Sequence, residues 1–158
     1  MGAGRPAGYV YGSIPFIAVF GPTVLGVRML SILSGVGVVF LLYLISRKLF
    51  SERVGIAAAS IAAVSPWEIS LSRAGFEAHL ALFLSLLCIY FIFLSKQRAQ
   101  FYIWAAISFG LAIHTYPTYK LSLPLIATVF LWLNGWFKNI KSLKNKLFLS
   151  IAAFGLVF

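Results

Sequence analysis

The sequence predicts an all-α, polytopic transmembrane bundle, and three observations carry that prediction. Hydrophobic residues fill 61% of the 158 positions and charged residues only 10%, where a soluble domain carries about 25% charged residues. The apolar residues fall in long runs free of Asp, Glu, Lys and Arg, without the alternation of a barrel strand. A helix is then the form in which the backbone satisfies its own polar groups inside lipid. Basic residues recur between these runs, heavier on every second side, as the topology of multi-pass proteins requires. The net charge of +10 is therefore a membrane signature, and nucleic acid is not an expected partner. Cys88 lies inside an apolar run and is the single cysteine, which excludes a disulfide and a cysteine-based metal site.

The elements follow in order. Residues 1–28 open with a Gly- and Pro-rich stretch that lacks the continuous core of a cleavable signal. Within them, "IPFIAVFGP" is apolar enough to lie in the interface but too short and broken to span. Residues 29–46 (MLSILSGVGVVFLLYLIS) make the first span. Residues 54–67 make a shorter second, ending where Pro66 disfavours helix for its predecessor. The third covers 78–95, the fourth 99–116 and the fifth 119–137, with a kink expected at Pro124. A sixth apolar run begins near Leu147 and stops after twelve residues, short of the roughly 20 that a bilayer core needs. The expected organisation is thus a partial first outer loop with a juxtamembrane helix (1–28) and a helical region (29–158) of about five complete spans plus a truncated sixth. These ends read as those of a fragment.

Counting basic residues orients the bundle. Loops 46–53, 95–100 and 135–146 hold nine of them: Arg47, Lys48, Arg53, Lys96, Arg98, Lys138, Lys141, Lys144 and Lys146. The opposite side holds four, Arg5, Arg28, Arg73 and Lys120. The nine-residue face is expected in the cytoplasm, with loops 66–78 and 115–120 outside.

The outer side gathers the unusual chemistry. "SPWEISLSRAGFEAHLALF" (65–83) brings Glu68, Arg73, Glu77 and His79 together, with two of the three acidic residues of the chain. "HTYPTYKLSLP" (114–124) brings His114, Tyr116, Tyr119 and Lys120. Each has a plain structural alternative. Arg73 and Glu77 are four apart and could pair on one helix face, although Gly75 stands between them. Lys120 could reach to the headgroups, the tyrosines could form an interfacial belt, His114 could end a helix, and Glu68 could sit at the rim. Glu77 and His79 are the candidates for metal binding, but two residues apart they point in different helical directions. Ionisable groups near membrane depth are costly unless paired or hydrated. Cations recognise phosphate, and tyrosines offer a flat face and a hydroxyl. A sugar carried on a lipid phosphate suits both, and a transported anion suits them nearly as well.

Taken together, "IPFIAVFGPTVLGVRMLSILSGVGVVFLLYLISRKLF", "SPWEISLSRAGFEAHLALF" and "HTYPTYKLSLPL" resemble the membrane glycosyltransferases of family 39, of the GT-C type. That family includes protein O-mannosyltransferases and the aminoarabinose transferases of lipid A. The resemblance implies a GT-C-like bundle and transfer of a sugar, on the outer face of the plasma membrane, from a polyprenyl-phosphate donor to a lipid, glycan or protein acceptor. It implies donor-phosphate or sugar binding by Arg5, Arg73, Glu77, Tyr116, Tyr119 and Lys120. Arg5-Pro6 stands where relatives often carry Lys-Pro-Pro, with Ala7 in place of the second proline. Some relatives use a divalent metal, so a metal cofactor is left open. The family's catalytic acid is an Asp of the first outer loop. This chain contains no Asp, and the acid is expected upstream of Met1. A transporter or flippase for a lipid-linked or anionic substrate is the alternative reading. No internal repeat of the kind common in transporters is visible among the spans.

Overall fold

The computed structural model describes residues 8–133, apart from residue 99, with side chains described up to 129. Over these residues the chain is entirely helical, with seven helices and no strand. They are α1 (Gly8–Phe20), α2 (Val24–Leu49), α3 (Glu52–Val64), α4 (Pro66–Ala74), α5 (Glu77–Leu94), α6 (Phe101–Thr115) and α7 (Tyr119–Leu133). Arg5, the basic loop at 135–146 and the apolar run from Leu147 lie outside the described residues.

Local chemistry sets the boundaries. The first span is longer than the charge-free window of its sequence because Thr23 caps it early, its hydroxyl accepting from the Gly26 N–H at 3.2 Å. At the other end, Arg47 and Lys48 occupy the last turn of α2, where cations offset the negative end of the helix dipole. Ser51 caps α3, accepting from the Val54 N–H at 3.4 Å, and Glu52 follows in the first turn. Pro66 holds Ser65 in an extended conformation (ψ 123°) and ends α3 at Val64.

Beyond Ser65 the structure departs from expectation. The outer segment 66–78 is largely helical, because Pro66 also serves as the first residue of α4. The axes of α3 and α4 differ by 57°. Gly75 closes α4 in the left-handed region (φ 72°, ψ 38°), a conformation open to glycine at little cost. Pro124 lies within α7.

By length and apolarity, α2 and α5 are long enough to cross a membrane, and the bent pair α3–α4 makes up to a third span. α6 and α7 are shorter apolar helices of 15 residues. Side chains such as Val19, Phe40, Val36, Leu121 and Leu125 are exposed on their outer faces, as lipid-facing positions should be. Inside, Cys88 and Ile92 of α5 pack against Ala105 of α6 and Ala127 of α7, while Ile45 of α2 meets Ile89 and Phe93 on another side of α5. Small polar residues line several contacts. Ser31 is fully buried and its hydroxyl donates across to the Leu71 carbonyl of α4 at 3.1 Å, the kind of bond that ties helices together in lipid.

Candidate active site at one end of the bundle

Three sequence segments separated by up to about a hundred residues meet at one end of this bundle. The first turn of α1 lies against the last turn of α6, with Gly8 beside Thr115. Tyr9, buried, donates its hydroxyl to the Val27 carbonyl at the start of α2, at 2.9 Å. The same hydroxyl and the stem of Arg28 flank Gly75, at the turn between α4 and α5. A cluster of Ala112, Ile113 and Leu123 seats Tyr119 beside the end of α6. The opposite end carries Arg47, Lys48, Arg53, Lys96 and Arg98. There Lys48 Nζ reaches the Phe93 carbonyl of α5 at 3.5 Å.

At the first of these ends the residues singled out by sequence take separate positions. Arg73 is exposed in the last turn of α4, and Glu77 is half-buried in the first turn of α5. Among the described residues no ion pair joins them. The reason is Gly75, whose left-handed turn places the two on different helices and removes the shared helix face. Tyr116 and Tyr119 are half-buried and meet edge to face, with ring centroids 6.0 Å apart and planes at 67°. Lys120 is exposed beside them at the start of α7, and His114 is exposed in the last turn of α6.

Two features of this end had no place in the sequence-based site. Arg28, read from the sequence only as a topology charge, has its side-chain stem beside Gly75. The end therefore gathers Arg28, Arg73 and Lys120, and among the described residues none of the three is in an ion pair. The second feature is the partner of His79. His79 is completely buried, and its Nε2 lies 3.3 Å from Glu68 Oε1. Its place beside Glu77 in the sequence had suggested a joint role for those two; the fold pairs it with Glu68 instead. The approach is within ion-pair range but not aligned as a hydrogen bond, so Glu68 Oε1 and both ring nitrogens lack a hydrogen-bond partner. Gly35 of α2 makes room for the pair: a Cβ there would fall 2.9 Å from His79 Nε2 and 3.0 Å from the Ser72 Cβ. No local spacing signals this contact, since it depends on the α4–α5 turn and on a glycine some forty residues earlier.

Glu68 also reaches a cavity of about 570 Å³ between α2, α3 and α4. Its walls include Ile32, Val36, Phe40, Ala63 and Ile69, and Tyr43 closes the far end. Among the described residues no three His, Cys, Asp or Glu side chains converge as metal ligands.

An all-helical membrane bundle with cations and tyrosines collected at one end defines a class of polytopic proteins that handle an anionic substrate at the membrane surface. The particular family follows from the sequence profile. Residues 8–158 match that of the dolichyl-phosphate-mannose-protein mannosyltransferases, and the chain belongs to this family of membrane glycosyltransferases. No curated protein and no solved structure is similar enough to add a relative.

Proposed function

We propose that the chain binds a polyprenyl-phosphate-linked sugar at the outer face of the plasma membrane and serves its transfer to an acceptor hydroxyl or amine. The observation that supports this best is the meeting of the α1–α2 start, the α4–α5 turn and the α6–α7 turn at one end, bringing Arg28, Arg73 and Lys120 together with Tyr116 and Tyr119. In this reading the end rich in Arg47, Lys48, Arg53, Lys96 and Arg98 is cytoplasmic. Residues 1–28 belong to an outer loop with its juxtamembrane helix, and 29–158 form the membrane region.

The chemistry is displacement at the anomeric carbon. The acceptor oxygen or nitrogen bonds to that carbon as its bond to the phosphate oxygen breaks, and the electron pair leaves with the polyprenyl phosphate. Cations that meet the phosphate stabilise the charge that develops on it, the role assigned to Arg73 and Lys120, with Arg5 as a further contributor. Glu77 hydrogen-bonds the sugar or holds a cation, and the tyrosines stack on the ring. A carboxylate must take the acceptor proton, and none of this chain's residues is assigned to that step.

The test is transfer from a radiolabelled polyprenyl-phosphate sugar in membranes containing the protein. Arg73→Ala and Lys120→Ala should each lower transfer by about 100-fold, the loss of one strong phosphate contact in a water-poor site, with protein abundance unchanged. Undiminished transfer in both would make them rim residues.

A further inference from the structure

The cavity between α2, α3 and α4 differs in character from the cationic end of the bundle. Its length along α2, from Ile32 to Tyr43, is about 16 Å at the helical rise, roughly half of a bilayer's hydrocarbon core. At about 570 Å³ it is within the size range of small-ligand sites. Val36 and Phe40 on its wall are exposed, so the cavity is open from the side that faces lipid. At its foot, Arg47 donates to the Tyr43 hydroxyl at 3.2 Å, and that hydroxyl lies 3.4 Å from Glu52 Oε1. At its head sit Ser72 and the Glu68 carboxylate, the one acidic group in the lining.

That carboxylate decides what fits. Glu68 is 13% exposed, and its only ionisable neighbour, His79, is fully buried behind it. Oε1 lacks a hydrogen-bond partner, and a buried acceptor left unsatisfied is costly. An anionic head is repelled here, which sets the groove apart from any phosphate site. A head that donates a hydrogen bond satisfies Glu68 while its chain covers the apolar wall.

We propose that this groove is a second lipid site, holding one hydrocarbon chain of a bilayer amphiphile whose uncharged or cationic head, a hydroxyl or an amine, donates to Glu68. The site stands whether or not the chain transfers sugars. It gives this side of the protein a selectivity opposite to that of the Arg28, Arg73 and Lys120 end: donors of hydrogen bonds in, anions out.

The experiment is photo-crosslinking in phosphatidylcholine nanodiscs with three probes that share one diazirine-bearing C16 chain. One ends in a primary alcohol, one in its methyl ether and one in a phosphate monoester. Labelled peptides are mapped by mass spectrometry. The alcohol should label residues within 32–43 and 59–72 about tenfold more than the ether, the size of one good hydrogen bond to a charged acceptor, and the phosphate less than the ether. Glu68→Leu should bring alcohol and ether to equal labelling. Ala63→Phe, which fills the groove and spares Glu68, should suppress both, and keeps the test open if Glu68→Leu does not fold. Equal labelling by all three probes in the unaltered protein would overturn the proposal, and so would labelling that Ala63→Phe leaves untouched. Crosslinks from these walls to residues 134–158 in place of lipid would also overturn it, by showing that the chain itself fills the groove.

Discussion

Gly35→Ala is the substitution whose sign most directly tests this packing. In a helix interior, exchanging glycine for alanine ordinarily stabilises by about 1 kcal/mol. Here the added methyl would lie 2.9 Å from His79 Nε2 and 3.0 Å from the Ser72 Cβ, against the 3.5–4.0 Å at which carbon contacts are favourable. Neither neighbour can retreat cheaply. His79 has no exposed surface, and the Ser72 Cβ is fixed to α4, which Ser31 ties to α2 through the Leu71 carbonyl. Overpacking a tight core by one methyl costs about 1–3 kcal/mol, so the expected net effect is a loss of about 1 kcal/mol where propensity alone gives a gain. The assay is reversible unfolding in mixed micelles, followed by tryptophan fluorescence. His79→Ala supplies the second arm of a double-mutant cycle. With the imidazole gone, only the Ser72 contact remains, and Gly35→Ala should recover about half of its cost, a coupling of at least 0.5 kcal/mol. A stabilised Gly35→Ala protein, or additive effects of the two changes, would refute the placement of His79 against α2, and with it the Glu68–His79 pair.

Two further expectations bear on the outer lip. Pro66→Ala returns an N–H to the backbone and frees Ser65 to become helical; spin labels on Ile61 and Ser70 should then move apart as the 57° bend relaxes, and an unchanged distance distribution would place the cause of the bend elsewhere. Gly75→Ala forces a Cβ into the left-handed region (φ 72°), at about 1–2 kcal/mol, and the loss should appear in the same unfolding assay while Gly75→Asn, which tolerates that region better, loses less.

The membrane class and the rough positions of the apolar helices were legible because they depend on composition and on runs of charge-free residues. Helix ends were less so. Thr23 and Ser51 extend α2 and start α3 beyond the charge-free windows, and a window method is blind to caps. The helix α4 was missed for a related reason. A segment holding Pro66, Glu68, Arg73 and Gly75 has the composition of a loop, yet the proline stands where it begins a helix and the glycine where it ends one. The nearness of Arg73 and Glu77 in sequence suggested a pair; one left-handed glycine undoes it. The Glu68–His79 contact was not legible at all, because it requires three helices to be placed before the two side chains meet.

Those two outcomes bear jointly on the cationic end. An anion site needs positive groups whose charge is not already neutralised, since a carboxylate within a few ångströms competes with the ligand for the same donors. The described residues near that end include two carboxylates able to do this. Gly75 turns Glu77 onto another helix from Arg73, and Glu68 faces His79 beside Gly35, at the head of the apolar groove. Arg28, Arg73 and Lys120 consequently keep their charge for a substrate. The same turn of chain that denies Arg73 its nearest acidic partner in sequence also supplies the groove with the one acidic group that would reject a phosphate. Exchanging Gly75 for a residue that lets α4 continue into α5 therefore affects two sites at once. It brings Glu77 onto the Arg73 face, where it would quench the cation, and it draws Glu68 away from the groove head.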